Sequence, residues 1–310
     1  MTAQARPRIA ILANCTHTAL TRTLRRHDPA LDIISFPVFA MTPAQLQDTA
    51  DRLDGVDHIL TLVHGDRFGP LATAALRARH GPKVTAVPVP FFAGQHPDMS
   101  YVVAAGRRIG QEGGPLGDYS SAVVLRDLQR GLTEAQTVDR YVSGESIAEL
   151  DIRRLWDQGL DRLRQTEAGQ GTEIAVSDLV AAAARGGQPF LTFNHPTAPL
   201  IAAICSRFLT RVQDRPVTVA PLSEADHPLT TGAFWPVRDT VKAALGLNFP
   251  SEQRFKTQQD RDGQWMDVAT FAAESYRAFK RTEAPEALRV ITPDYLAAQI
   301  GAAQTGDAQA

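Results

Sequence analysis

The first ninety residues alternate short apolar runs with amphipathic stretches. The runs are rich in Ile, Leu, Val and Ala, a composition typical of buried strands. The predicted strands are Ile9 to Ala13, Leu31 to Phe36, His58 to Val63 and Val84 to Val89. The predicted helices between them are Thr16 to Arg26, Pro43 to Leu53 and Pro70 to His80. This order predicts an α/β fold in which right-handed crossovers lay the strands into a parallel sheet.

After Gly113-Gly114-Pro115 the pattern becomes mainly helical. One predicted helix begins at Thr133, and the others are Tyr119 to Gly131, Ser146 to Gln165, Val176 to Arg185, Pro196 to Val212, Val237 to Leu245 and Met266 to Thr282. We therefore expect two regions. Residues 1–115 form an α/β domain, and residues 116–310 form a mainly helical region packed on it.

A cysteine stands between the first predicted strand and the first predicted helix. Asn14 ends the strand, Cys15 follows it, and helical spacing begins at Thr16. Backbone N–H groups at a helix N-terminus favour an anion, so we expect a lowered pKa for this thiol and a nucleophilic role. The alternative interpretation is a small buried side chain with no chemical role.

Composition and charge exclude several classes of protein. The chain has 32 basic and 34 acidic side chains and a formal net charge of −2, so no overall field attracts nucleic acid or an anionic membrane. Its two cysteines, Cys15 and Cys205, argue against a disulfide framework. No apolar stretch is long enough for a transmembrane helix, and the first residues lack the apolar region of a signal peptide. The expected location is the cytoplasm.

Three histidines, His64, His96 and His195, follow apolar runs in segments that are predicted to be loops. A proline follows His96 and His195, which holds their backbone out of the helical region. An imidazole beside a thiol can accept its proton. Each ring, taken alone, is equally explained by loop stabilisation. The histidines and cysteines lack the spacing of a zinc site, so no metal is expected.

Four blocks of sequence, taken in order, are similar to one family. They are Asn14-Cys15, Phe92-Ala93-Gly94-Gln95-His96-Pro97-Asp98, Gly117-Asp118-Tyr119-Ser120 with Arg130-Gly131-Leu132-Thr133, and Phe190-Leu191-Thr192-Phe193-Asn194-His195-Pro196-Thr197. On these blocks the chain resembles the WcbI-type capsular polysaccharide biosynthesis proteins over about residues 8 to 212, and the Phe-Asn-His-Pro-Thr block is the most specific.

The resemblance implies a cytoplasmic, coenzyme A-binding protein that transfers an acetyl group to a hydroxyl of a capsular sugar precursor. It also implies a fold distantly like the SGNH hydrolases, with Cys15 in the position of the hydrolase serine. The expected fold is therefore α/β, with an N-terminal parallel sheet of SGNH-like or flavodoxin-like type and a largely helical C-terminal half. The expected partners are acyl-coenzyme A and a carbohydrate acceptor. The oligomeric state is left open, a homo-oligomer included.

With this resemblance, individual residues receive roles. Cys15 is expected to be the nucleophile or an acyl-handling thiol, His195 the general base and His96 a second candidate for the base. The expected oxyanion or substrate contacts are Asn14, Thr16, Tyr119 and Asn194. The expected coenzyme A contacts are Arg67, His64 and His17. Apart from the resemblance, other basic residues could meet phosphates at the sheet edge, although charged residues on helices are usually solvated: Arg22, Arg25, Lys83, Arg107 and Arg108.

The chain departs from the family pattern at several positions. Thr16 stands where the family usually has glutamine, so the contact of that amide is lost or altered. Ala93 replaces an acid that would pair with His96, which weakens His96 as an oriented base, and Ser120 replaces a histidine. His64 stands where the family more often has glutamine. The block around His195 is intact, so His195 is the preferred base.

Two other functions remain open at this stage. An SGNH-like esterase or deacetylase uses water as the acceptor, and the absence of a Gly-Asp-Ser motif argues against it. A non-catalytic ligand-binding protein of a glycan-assembly system fits the loss of polar residues at Ala93 and Ser120. Within the transferase hypothesis, the acyl group passes either through Cys15 or directly from the thioester to the acceptor hydroxyl.

Overall fold

A four-stranded parallel sheet organises the N-terminal part of the protein. The computed structural model describes residues 7–104, 107–109, 114–258 and 263–291. The sheet contains β1 (Arg8–Ala13), β2 (Asp32–Pro37), β3 (His58–Leu62) and β4 (Val84–Val87), in the order β2-β1-β3-β4. This is the order of the first four strands in a flavodoxin-like sheet. The predicted parallel sheet and α/β class are confirmed.

Three helices connect these strands. They are α1 (His17–His27), α2 (Pro43–Asp51) and α3 (Thr73–His80). Thr42 and Gln45 form a capping box at the start of α2, with Pro43 at its first position, so the predicted start is confirmed. The predicted helix from Pro70 begins later, at Thr73, because a 3₁₀ segment and a left-handed Gly69 precede it.

The C-terminal part of the described chain is mainly helical, as predicted. Its helices are α4 (Ala122–Gln129), α5 (Glu134–Ser143), α6 (Glu145–Ala148), α7 (Ile152–Gln170), α8 (Ser177–Gly186), α9 (Ala198–Gln213), α10 (Asp239–Leu245) and α11 (Val268–Lys280). The helix that was predicted from Tyr119 begins at Ala122, because residues 120 and 121 pair with a strand instead. Every helix among the residues described is too short or too polar to cross a bilayer.

The structure also contains short strands that the sequence did not predict. They are β5 (Met99–Ala104), β6 (Arg107–Arg108), β7 (Ser120–Ser121), β8 (Phe190–Thr192), β9 (His195–Pro196), β10 (Phe255–Lys256), β11 (Trp265–Met266) and β12 (Arg289–Ile291). Strand β5 pairs antiparallel with β6, β7 and β12, so this small sheet joins residues from both sides of position 115. The proposed division into two regions stays a prediction.

Both faces of the parallel sheet are buried. Ile9 and Ile11 of β1 pack with α1, α7 and α9 on one face, whereas Ala10 and Leu12 pack with α2 and α3 on the other. Successive side chains of a strand point to opposite faces, so a strand covered on both sides is apolar at every position. The sheet is therefore fixed on both sides, and the loops at its carboxyl edge are free to form a site.

Candidate functional site

Cys15 lies at the carboxyl end of β1, directly before α1. The Asn14 side-chain oxygen accepts a hydrogen bond from the backbone N–H of Thr16 at 3.0 Å, which turns the chain from strand into helix. Thr16 is the N-cap residue, and its side chain is buried, 1% exposed. The predicted junction between strand and helix is confirmed, and it holds the thiol half-buried at the edge of the sheet.

Burial raises the pKa of the Cys15 thiol. The backbone N–H groups of Cys15 and Thr16 lower it, but loss of hydration is the larger effect. The sequence predicted a lowered pKa from the helix N-terminus, and that prediction is wrong because the effect of burial exceeds that of the backbone N–H groups. The resting form at neutral pH is the thiol, so a nucleophilic role requires a neighbouring base.

A cavity of about 310 Å³ opens beside Cys15. Its polar lining consists of Asn14, Cys15, His64, Arg67, Arg108 and Asn194. Phe39, Phe68 and Val89 contribute apolar walls, and Phe39 is 56% exposed at the mouth. The structure thus brings together six of the residues singled out from the sequence, including Arg108 from β6.

The side-chain amide of Asn194 is held in one orientation. Its oxygen accepts hydrogen bonds from the hydroxyls of Tyr119 and Thr192, each at 2.9 Å. Its nitrogen donates to the hydroxyl of Tyr101 at 3.3 Å. An amide nitrogen carries two hydrogens, so one stays available to a group in the cavity. Tyr119 is buried and orients Asn194, together with Tyr101, which the sequence did not indicate. The predicted substrate contact of Tyr119 stays a prediction.

Two guanidinium groups reach the cavity from different sides. Arg67 is exposed and lies 4.7 Å from the ring centre of Phe68. Arg108 lies 3.9 Å from the ring centre of Tyr101 and 3.9 Å from a carboxylate oxygen of Asp118. Stacking on aromatic faces fixes the planes of both groups while their hydrogens stay available to an anion. The pair suits a ligand that carries phosphates.

His64 lies in the cavity wall directly after β3. Burial, and then the charge of Arg67, lower the pKa of His64 to about 4, so the ring is neutral at pH 7. Its Nδ1 is 3.2 Å from the hydroxyl of Thr61, and the edge of Phe68 packs against the ring at a centroid distance of 5.0 Å. The cavity therefore contains a neutral imidazole in a fixed position.

The other three histidines of the predicted site do not line this cavity. His195 is half-buried and lies edge-on to Tyr119 at a centroid distance of 6.0 Å, with a pKa lowered to about 4 by burial. His96 is 1% exposed, and its Nε2 is 3.3 Å from the amide nitrogen of Gln188. His17 is half-buried at the start of α1, 3.4 Å from the hydroxyl of Ser35. Their catalytic and binding roles stay predictions.

Acid should destabilise the fold through its buried imidazoles. Burial lowers the pKa of His64 to about 4 and of His96 to about 3, against 6.5 in the unfolded chain. Between these values the unfolded chain binds protons that the folded chain does not, so stability present above pH 6.5 is lost as the pH falls. We expect the free energy of unfolding to fall by about 1.4 kcal/mol per pH unit for each such proton. Urea unfolding at pH 7 and pH 5 checks this, and equal stability would contradict it.

Two comparisons relate the chain to known proteins. Residues 8–215 match the family model described as polysaccharide biosynthesis enzyme WcbI. A solved structure of WcbI, described as a novel polysaccharide biosynthesis enzyme, has the same fold with a TM-score of 0.71 and 16% sequence identity, over 96% of this chain and 95% of that chain. That structure is described as the native protein without a disulfide bond between coenzyme A and one of its cysteines. No curated protein matches the chain.

The family match covers the residues that build the cavity. It begins at the first residue of β1 and extends through α9, so it includes Cys15, His64, Arg108 and Asn194. In the ranges that the structure describes, no group of three or more His, Cys, Asp or Glu side chains is arranged to hold a metal ion. The chain belongs to the WcbI family of polysaccharide biosynthesis enzymes.

Proposed function

We propose that this protein transfers an acyl group from acyl-coenzyme A to a hydroxyl of a polysaccharide or glycolipid precursor. The observation that carries the proposal is the single cavity shared by the Cys15 thiol, the Asn194 amide and two guanidinium groups. A thiol accepts acyl groups, an oriented amide stabilises an oxyanion, and guanidinium groups bind phosphates. These are the three requirements of transfer from a coenzyme A thioester.

The cavity residues fit the thiol end of coenzyme A. The WcbI structure with the same fold is described as lacking a disulfide bond between coenzyme A and one of its cysteines. This description supports a position of the coenzyme thiol next to Cys15. A volume of about 310 Å³ is at the small end for ligand sites, enough for the thioester and the reacting part of an acceptor. The phosphates then extend to Arg67 and Arg108 at the mouth.

The chain's own residues account for the chemistry of transfer. The Cys15 sulfur attacks the thioester carbonyl carbon, and the free hydrogen of Asn194 Nδ2 donates to the oxyanion that forms. The Asn14 amide is a second donor in the same wall, because its oxygen is already engaged with Thr16. Each such donor commonly contributes about 3 kcal/mol to the transition state. The thioester C–S bond breaks and coenzyme A leaves as its thiol. The acceptor hydroxyl then attacks the acyl-cysteine, the bond between the acyl carbon and the Cys15 sulfur breaks, and the thiol is restored.

Release of coenzyme A thiol tests this function against its rivals. The protein is mixed with acetyl-coenzyme A, with and without a hydroxylated sugar acceptor, and free thiol and acylated sugar are measured. Transfer predicts thiol release that depends on the acceptor, with one acylated sugar for each thiol. Equal release without acceptor indicates a hydrolase, and thermal stabilisation by coenzyme A without release indicates a binding protein. Either result contradicts the proposal.

Loss of either cavity guanidinium should weaken binding of the coenzyme without slowing the chemistry. We expect Arg67→Ala and Arg108→Ala each to raise KM for acyl-coenzyme A about tenfold with kcat nearly unchanged, because phosphate contacts are equal in the ground and transition states. Arg164→Ala is the matched control, since Arg164 is exposed on α7 and pairs with Asp161. Steady-state kinetics measure both constants, and an unchanged KM in both cavity variants would contradict the proposed phosphate site.

A further inference from the structure

The hydrogen bonds around Thr61 determine which nitrogen of His64 carries the proton. The Thr61 hydroxyl donates to the carbonyl oxygen of Leu62 at 2.7 Å, and a hydroxyl has only one hydrogen to donate. In its 3.2 Å contact with His64 Nδ1, Thr61 must therefore be the acceptor. The Nδ1 atom thus carries the hydrogen. In a neutral imidazole this leaves the lone pair on Nε2.

The ring is also fixed by its backbone. The N–H of His64 donates to the Thr73 hydroxyl at 2.9 Å, and the N–H of Thr73 donates to the carbonyl oxygen of His64 at 2.9 Å. Thr73 is the first residue of α3, so the histidine is attached to the start of a helix. With Phe68 packed against the ring, the imidazole is held in the cavity wall and its unprotonated nitrogen is the one left for a ligand.

We propose that His64 Nε2 is the proton acceptor of the acyl transfer and that Thr61 is the positioning residue that sets its tautomer. This inference rests on the function proposed above. No other histidine of the described chain lines the cavity with Cys15, and the resting thiol needs a base. The ring and the sulfur do not hydrogen-bond in the free protein. Catalytic hydrogen bonds often tighten only when substrate is bound.

In each half of the reaction His64 Nε2 accepts one proton and passes it to the departing thiolate. In the first half, the Cys15 proton moves to Nε2, the sulfur–acyl bond forms, the thioester C–S bond breaks, and the imidazolium protonates the departing coenzyme thiolate. In the second half, the acceptor hydroxyl gives its proton to Nε2, the new ester C–O bond forms, and the bond between acyl carbon and Cys15 sulfur breaks. The imidazolium then protonates the Cys15 thiolate. Thiol and neutral imidazole are both restored.

The charged and titratable groups that face His64 are compatible with this role. Arg67 follows it on the same loop, Arg108 comes from β6, and Cys15 comes from the end of β1. Burial and the charge of Arg67 disfavour a charged imidazole, and the lowered pKa keeps the ring unprotonated throughout the neutral range. The wild-type rate should therefore be flat between about pH 6 and pH 8.

The test compares His64→Gln with His58→Gln on the full chain. His58 is a half-buried histidine at the other end of β3, outside the cavity lining. We expect His64→Gln to lower kcat/KM about a hundredfold at pH 7. The kcat/KM of this variant should then rise about tenfold for each pH unit, because only preformed thiolate reacts without the base. His58→Gln keeps the wild-type rate and the flat profile. Coenzyme A binding, measured by calorimetry, stays within about twofold in both variants.

A second pair of variants tests the tautomer. Thr61→Val preserves the shape of the buried side chain and removes the acceptor for Nδ1–H, so we expect a loss of about tenfold in kcat. Thr61→Ser restores the hydroxyl and most of the rate. If His64→Gln fails to fold, these two Thr61 variants test the proposed role of His64 by themselves.

The outcomes separate this inference from the proposed function. If wild-type protein transfers no acyl group, the proposed function fails and the inference fails with it. If the wild type is active and His64→Gln retains a rate within about twofold with a flat profile, the inference alone is overturned. A loss of rate with an unchanged, flat profile assigns His64 a structural role and overturns it as well.

Discussion

Replacing Cys15 by alanine should lower the rate of acyl transfer by about a thousandfold or more. The sulfur is the atom that bonds to the acyl group in the proposed reaction, and removing a covalent nucleophile leaves only the contribution of binding and oxyanion stabilisation. The side chain is half-buried and small, so the free energy of unfolding should change by less than about 1 kcal/mol. Steady-state assays and urea unfolding of the same preparation measure both quantities.

Cys205→Ala is the matched control, because it makes the same chemical change elsewhere in the chain. Cys205 is fully buried on α9, and its sulfur is 4.0 Å from the carbonyl oxygen of Leu20. Its loss should cost about 1 to 2 kcal/mol of stability and leave the transfer rate unchanged. The two variants thus have opposite effects on rate and stability. A Cys15→Ala protein with the wild-type rate would exclude the acyl-cysteine route.

Asp98→Ala should lower the free energy of unfolding by about 3 to 5 kcal/mol. Asp98 is 1% exposed and accepts hydrogen bonds from the hydroxyls of Tyr141 at 2.8 Å and Ser121 at 3.1 Å. Arg238, 6% exposed, supplies the opposite charge and donates to the carbonyl oxygen of Tyr141. Burial raises the pKa of Asp98 despite these partners. Its removal leaves two buried hydroxyls without their acceptor and the buried Arg238 without a nearby carboxyl group.

Tyr141→Phe is the control for this network, because it removes a single hydrogen bond and keeps the ring. The expected cost is about 1 kcal/mol. Chemical denaturation of the two variants measures the difference. If Asp98→Ala cost no more than Tyr141→Phe, the carboxylate would not be the centre of this cluster.

The local features of the fold were predictable because they depend on neighbouring residues. Short apolar runs bounded by polar residues identified the four parallel strands, and the position of Cys15 after the first of them followed from the order of elements. The pairing of β5 with β12 was missed because the two strands are distant in sequence. Tyr101 pairs with Ile291, and no local pattern connects them. Tyr101 and its contact with Asn194 were missed for the same reason.

The electrostatics of the site depend on packing, which the sequence does not specify. The pKa of Cys15 was predicted in the wrong direction, because the position before a helix indicates the favourable dipole but not the degree of burial. The histidines show the same limit. His64, His96 and His195 all follow apolar runs. Strand β3 lies beside β1 in the sheet, so the loop after β3 begins next to Cys15 and brings His64 to the cavity wall. The loops that carry His96 and His195 place these rings elsewhere.

The most direct test of the account is whether Cys15 itself carries the acyl group. The protein is exposed to acetyl-coenzyme A without acceptor, quenched in acid, digested and examined by mass spectrometry. We predict one acetyl group on the peptide that contains Cys15, none on the peptide that contains Cys205, and loss of the acetyl group when a sugar acceptor is added before quenching. Acceptor-dependent turnover with Cys15 never acetylated would contradict the account.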